Sequence, residues 1–168
     1  MMAQTVVITG FMGCGKSKVA RALARSLDVL FVDLDESITA RTGRTPAQLI
    51  NEDGERAFRA IETETLRDVL HSRAAGVVAL GGGAWIEAAN RELIDEYSCA
   101  SVWLDVPFEV CWTRIEAGDE DRPLGKTRDE ALARYEHRRP VYELAQIHVP
   151  VLGHEEMEDI LRMIEANI

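Results

Sequence analysis

Gly10-Phe11-Met12-Gly13-Cys14-Gly15-Lys16-Ser17 decides how the rest of the chain is read. The stretch fits G-x-x-x-x-G-K-[ST], the pattern of a phosphate-binding loop. Ahead of it, Thr5-Val6-Val7-Ile8-Thr9 is a short apolar and β-branched run that reads as a buried strand. Behind it, Val19, Ala20, Leu23, Ala24 and Leu27 recur at helical spacing. Strand, glycine loop and helix, in that order, is the context the pattern needs to carry meaning. The glycines let the backbone wrap a polyphosphate with several N–H groups pointing inward. The new helix adds unpaired N–H groups and the positive end of its dipole. Lys16 brings a charge to the β- and γ-phosphates, and the Ser17 hydroxyl is a ligand for Mg²⁺. Lys18 stands where a second hydroxyl residue is common; it either replaces that contact by charge or faces solvent.

Working outward, Val29–Val32 reads as a second strand, ending at Asp33-Leu34-Asp35. In a parallel α/β sheet the carboxyl ends of the strands face the ligand crevice, so both carboxylates are expected beside the loop. Alternation aims one at the metal and the other at a second substrate. The competing role for Asp35 is to cap the next helix. Glu36–Arg41 is a short helix closed by Gly43, and Thr45-Pro46 starts another that runs to about Asn51. From Glu55, the residues Phe58, Ile61, Thr65, Leu66, Val69 and Leu70 keep helical spacing. Arg59 and Glu62, three apart, can pair, and such a pair is usually a surface one. Gly76–Leu80 is a third strand that runs into Gly81-Gly82-Gly83, which either admits a ligand close to the backbone or only turns the chain.

A helix at 88–96, a strand at 101–104 and a helix from Pro107 to about Ile115 continue the alternation. Residues 116–126 break it, with two glycines, a proline, many charges and no apolar period; this is a surface segment of the kind that serves as a lid. Thr127-Arg128-Asp129-Glu130 fits a capping box. The helix it opens gathers Arg134, His137, Arg138 and Arg139 ahead of Pro140. Ile147–Val151 is a fifth strand, and Met157, Ile160, Leu161 and Ile164 form the inner face of a last helix.

The chain of 168 residues suits one α/β domain, three-layered about a five-stranded parallel sheet, with insertions near 36–70 and 116–127. An apolar fraction of 46% is ordinary for a globular protein. No apolar run approaches the ~20 residues that cross a bilayer, and no segment reads as a signal peptide, so no membrane partner is expected. Cys14, Cys99 and Cys111 are odd in number and lack metal-ligand spacing, which suits a reduced cytoplasm. The net charge of −10 argues against a nucleic-acid partner. It also means that any anionic ligand must be met by cations gathered locally. With no long apolar stripe left over, a monomer is expected.

This set of motifs resembles the shikimate kinases, small members of the nucleoside-monophosphate-kinase-like group. The likeness runs from Thr5 to about Ala145, on GFMGCGKS at 10–17, DLD at 33–35, GERAFRAIE at 54–62, GGGA at 81–84, RPL at 122–124 and RRPVYELA at 138–145. It implies a sheet in the order 2-3-1-4-5. It also implies transfer of the γ-phosphoryl group of MgATP to the 3-hydroxyl of shikimate, giving shikimate 3-phosphate and ADP on the route to chorismate and the aromatic amino acids. By this resemblance Gly13, Cys14, Gly15, Lys16, Ser17 and Lys18 border the ATP phosphates, and Ser17 and Asp33 support Mg²⁺. Lys16, Asp35 and Arg122 would be the catalytic residues, with Asp35 bonding the shikimate hydroxyls and accepting the proton. Arg59 and Arg138 would hold the shikimate carboxylate, with Gly81, Gly82 and Gly83 beside the ring hydroxyls. Arg138 is preferred to Arg139 because the family places its arginine two residues before the proline. Arg122 would close over the transferring phosphate, and Arg114 would cover the adenine.

Chemistry supports the carboxylate assignment, because a pair of guanidiniums selects an acid over a neutral sugar. Glu62 would then orient Arg59. Two other functions compete: a related kinase of another small hydroxy acid, and a non-catalytic nucleotide-binding relative. Loss of Lys16, Asp35 or Arg122 would mark the second, and none is lost. Trp85 is either part of the substrate wall or core, and His71, His137, His148 and His154 receive no role.

Overall fold

Strand Val6–Thr9 (β1) is buried along its whole length because helices cover both faces of the sheet, which is why it is a continuous apolar run rather than an alternating one. It lies at the centre of a five-stranded parallel sheet in the order β2-β3-β1-β4-β5, with β2 Phe31–Asp33, β3 Val77–Ala79, β4 Ala100–Asp105 and β5 Ile147–Pro150. Val6, Val7 and Ile8 stand opposite Val77, Val78 and Ala79 on one side, and opposite Ala100, Ser101 and Val102 on the other. This computed structural model describes residues 4–118 and 127–168; Arg122 and the remainder of the expected lid at 119–126 lie outside the described residues.

The helices are α1 Lys16–Ser26, α2 Leu34–Thr42, α3 Pro46–Asp53, α4 Glu55–Ser72, α5 Ala88–Glu96, α6 Phe108–Ala117, α7 Arg128–Tyr142 and α8 Met157–Glu165. Their ends follow local chemistry. Thr45 and Thr127 form capping boxes with Gln48 and Glu130, and α2 stops at Gly43 in the left-handed conformation. α2, α3 and α4 fill the span between β2 and β3, and so place a helical wall beside the carboxyl edge of the sheet.

One detail differs from the sequence-based expectation, and two go beyond it. The second strand begins at Phe31 rather than Val29, since Leu30 is 65% exposed and Val29 is spent packing against Gly76. α7 runs on through Pro140 to Tyr142. The ring removes one N–H from the helix, but Pro140 and Glu136, four residues earlier, are both exposed, so water can serve the orphaned carbonyl. The cap of α2 is Asp33, not Asp35: its Oδ1 accepts the backbone N–H groups of Asp35 (3.0 Å) and Glu36 (3.3 Å).

Candidate functional site

A cavity of about 780 Å³ opens at the carboxyl ends of β1, β2 and β3. The phosphate loop forms one side of it, Gly81–Gly83 the floor, α3 and α4 the far wall, and Arg138 reaches in from α7. This is the edge where ligands of open parallel sheets bind.

The loop geometry requires its glycines. Gly13 (φ +75°) has a left-handed backbone, and a Cβ there would lie 2.7 Å from the Cys111 carbonyl oxygen. Gly15 precedes α1 without any side-chain cap, so the first N–H groups of the helix are left for a ligand. Lys16 is buried, and its Nζ donates to the Phe11 carbonyl at 2.9 Å. Ser17 donates its hydroxyl to Asp33 Oδ2 at 2.6 Å. Asp33 thus binds the phosphate-loop serine with one oxygen and caps α2 with the other. Lys18 is exposed. Cys14 is buried, its sulfur 3.8 Å from Lys16 Nζ. Arg114, on α6, donates to the carbonyls of Gly13 (3.3 Å) and Cys14 (3.1 Å), and so braces the outside of the loop.

The opposite half of the cavity carries the other charges. Asp35 stands in the first turn of α2, so close to Gly81 that a Cβ on the glycine would lie 2.7 Å from Oδ1. Burial, with help from the Asp33 charge and against Lys16 and Arg59, pushes the Asp35 carboxyl up to about 6. Arg59, on α4, donates to Glu62 at 2.7 Å and to Glu55 at 3.1 Å. Glu62 is only 1% exposed, so this is not the surface pair that the spacing alone suggests. Burial pushes the Glu62 carboxyl upward, to about 7, against the pull of Arg59. Arg138 is buried and donates to the Gly82 carbonyl at 3.2 Å. The Tyr142 hydroxyl donates to the same oxygen. Arg139 is engaged elsewhere: it grips Asp105 with both terminal nitrogens (2.7 and 3.0 Å) and lies over the Trp103 ring. Of the two neighbours, then, Arg138 is the one in the cavity.

Trp85 is core, 2% exposed, with its indole N–H donating to the Val141 carbonyl at 2.8 Å. His71 contacts the Tyr97 hydroxyl, and His148 the carbonyls of Glu143 and Ala145, away from the cavity. Several site residues escaped the sequence. Pro46, Ile50 and Phe58 form an apolar cavity wall, although helical spacing made Phe58 look like simple core. Asn90 and Arg91 hold the carbonyls of Ala84, Trp85 and Ile86, fixing the short turn that follows Gly83. No local pattern announces such bonds.

Gly83 gives a test of this packing. A Cβ there would fall 2.3 Å from Arg59 Nη2, so Gly83→Ala must push that guanidinium off its place beside Glu62. Straining a buried pair in this way should lower unfolding free energy by roughly 2 kcal/mol in urea titrations, short of the cost of removing one partner outright. Gly82→Ala, whose nearest neighbour would be 3.5 Å away, should cost about 1 kcal/mol or less. Equal losses in the two variants would contradict the tight fit at Gly83.

A family model described as Shikimate kinase matches residues 12–168. A shikimate kinase of Ruegeria pomeroyi is 37% identical over 166 residues, spanning 97% of this chain and 84% of that protein. The crystal structure of shikimate kinase from Bacteroides thetaiotaomicron superposes with a TM-score of 0.86 at 31% identity, covering 97% of each chain. The shikimate kinase of Acinetobacter baumannii, solved in complex with shikimate, gives a TM-score of 0.85 at 32% identity over 98% of this chain and 94% of that one.

Proposed function

The chain belongs to the shikimate kinase family, and from that membership we propose how its residues divide the transfer of the γ-phosphoryl group of ATP to the 3-hydroxyl of shikimate. It is an ATP-dependent kinase acting on an alcohol acceptor. The observation that carries the acceptor assignment is the meeting of Arg59 and Arg138 in one cavity with the phosphate loop. Two guanidiniums fit the ring carboxylate of shikimate, and an acceptor held there has its hydroxyls toward Asp35 and the Gly82 backbone.

Gly13 to Lys18 receive the ATP phosphates, and Lys16 exchanges the Phe11 carbonyl for the β- and γ-oxygens. Arg114, already against the outside of the loop, covers the adenine. The oxygens of Ser17 and Asp33 suit a hard cation, so these two residues would hold Mg²⁺, the Asp33 share passing through water. Bound there, the ion supplies positive charge to the nucleotide oxygens. Asp35 orients the acceptor hydroxyl and takes its proton, while Glu62 keeps Arg59 in place for the carboxylate. The α2–α4 span forms the acceptor-binding insertion, and residues 116–127 the lid. Arg122, from the sequence, brings its charge to the transferring phosphate once both substrates are bound. Arg122→Ala should therefore lower kcat by about a hundredfold while the shikimate KM moves less than threefold. Kinetics close to normal would remove Arg122 from the reaction.

Among the described residues no helix is long and apolar enough to cross a membrane. The three cysteines are free and buried. The free, buried thiols suit a reducing compartment, so a cytoplasmic enzyme is proposed, and a monomer with it from the sequence reading; cell fractionation and sedimentation of the purified chain would test the two. The decisive experiment is coupled ADP release with MgATP and shikimate, with no acceptor, and with quinate. Turnover that depends on shikimate supports the assignment. ADP release regardless of acceptor would indicate an ATPase, and silence with ATP still bound a non-catalytic relative.

A further inference from the structure

Arg59 already has carboxylates of its own. Glu62 stands 2.7 Å from its Nη1, Glu55 3.1 Å from Nη2 and Glu87 3.9 Å from Nε. Nη2 is also the nitrogen that lies against Gly83 on the cavity floor, 2.3 Å from where a Cβ would stand. Glu55 is therefore bonded to the terminal nitrogen nearest that floor. An acceptor acid that pairs with Arg59 would raise the number of carboxylates about one guanidinium to four. In a partly buried place such a gathering of like charge is strongly unfavourable, even with Arg138 close by.

The three residents differ in how firmly they are held. Glu62 is 1% exposed and has no route to water. Glu87 is too far from Nε for a hydrogen bond and makes only a loose ion pair. Glu55 makes a true hydrogen bond, yet its side chain is 52% exposed and it stands in the first turn of α4. Gly54 caps that turn without a side chain, and an added Cβ on Gly54 would meet nothing within 4 Å. Water, the open start of the helix and the positive end of its dipole all await a carboxylate that lets go of Arg59.

We propose that Glu55 stands in for the acceptor carboxylate while the cavity is empty and is displaced when the acceptor binds. It keeps the guanidinium paired and in place beforehand. It also tempers the preference of the site for acids, since an acid must replace it and a neutral analogue need not. This role rests on the shikimate assignment above and names the group that the substrate carboxylate replaces.

The test measures equilibrium binding of shikimate and of its methyl ester to wild type and to Glu55→Gln by calorimetry, without nucleotide. The ester keeps the hydroxyls and loses the charge, and glutamine keeps the length of the side chain and loses its charge. Shikimate should bind about three- to fivefold more tightly to Glu55→Gln at low salt, and the gain should shrink at high salt. The ester should bind within twofold of its wild-type affinity. A crystal structure of the wild-type chain with shikimate needs no variant: the acceptor carboxylate should lie on Arg59, with Glu55 more than 4 Å from Nη2. Weaker shikimate binding by Glu55→Gln overturns the proposal, because Glu55 would then support Arg59 rather than compete for it. So does an unchanged affinity, an ester that tightens as much as shikimate, or a complex in which Glu55 keeps its bond to Nη2. Failure of the underlying assignment looks different: the wild-type chain itself would then bind no shikimate and show no shikimate-dependent ADP release.

Discussion

Lys16→Met should cut shikimate-dependent ADP release roughly a thousandfold, at saturating shikimate, while leaving the fold nearly as stable as before. The rate loss follows from the chemistry of phosphoryl transfer. The reacting oxygens need alignment and positive charge far more than a strong base, and Lys16 is the one buried ammonium at the start of α1 among the described residues. The small stability loss follows from packing. Methionine fills a similar volume, and the folded chain gives up the bond to the Phe11 carbonyl, worth about 1 kcal/mol. Steady-state kinetics and a urea titration measure the two quantities separately. Activity within tenfold of wild type would show that Lys16 serves only the Phe11 carbonyl.

Asp35→Asn should lower kcat by about two to three orders of magnitude and yet leave the protein at least as stable as wild type at pH 8. The carboxyl titrates at about 6 instead of 3.8, because burial and the nearby Asp33 outweigh Lys16 and Arg59. At neutral pH it is therefore ionised and more basic than an ordinary carboxylate, which suits a group that accepts the acceptor's proton. The same displacement has a stability consequence with a fixed sign. Between about pH 4 and 6 the native state holds this proton more tightly than the unfolded chain does. Stability contributed by the group thus falls as pH rises through that window and stays low above it. Asparagine carries no charge to bury, so the stability gain of the variant should be present at pH 8 and shrink as pH drops below 6. In the wild type, kcat/KM for shikimate should fall on the acid side with an apparent pKa near 6. Glu62 titrates close by, at about 7, so Glu62→Gln should retain the Asp35 limb. A variant that lost both activity and melting temperature at pH 8 would assign Asp35 a structural part instead.

What could be read from the sequence was whatever local rules govern. The phosphate loop, the Thr127 capping box, the Thr45 start of α3 and the Gly43 stop depend on residues within a few positions of one another, and each appears where the pattern predicts. The sheet order came from likeness to a family rather than from periodicity, and the sheet has that order. What local rules could not reach were contacts made across the chain. Spacing offered Arg59 and Glu62 as a surface pair, and only the packed fold shows Glu62 sealed behind it. For Asp35 the sequence leaves open a helix cap or a place facing the substrate; the observed bonds give the cap of α2 to Asp33, which the sequence reading does not offer for it, and leave Asp35 for the cavity. The bonds from Arg138 and Tyr142 to Gly82 span more than fifty positions and have no sequence mark at all.

The crowding at Gly81 and Gly83 bears on how this enzyme could evolve under attack. At both positions a single added carbon would collide with Asp35 or Arg59, at 2.7 and 2.3 Å. Any heritable change that thickens this strip of backbone to keep an inhibitor out would therefore disturb the residues proposed to hold the natural acceptor. An inhibitor that spends its contacts on the main chain there leaves the organism few escape mutations. One that leans on Pro46 or Ile50, across the cavity, meets side chains that can be exchanged for others at smaller cost to catalysis, and resistance should arise there first.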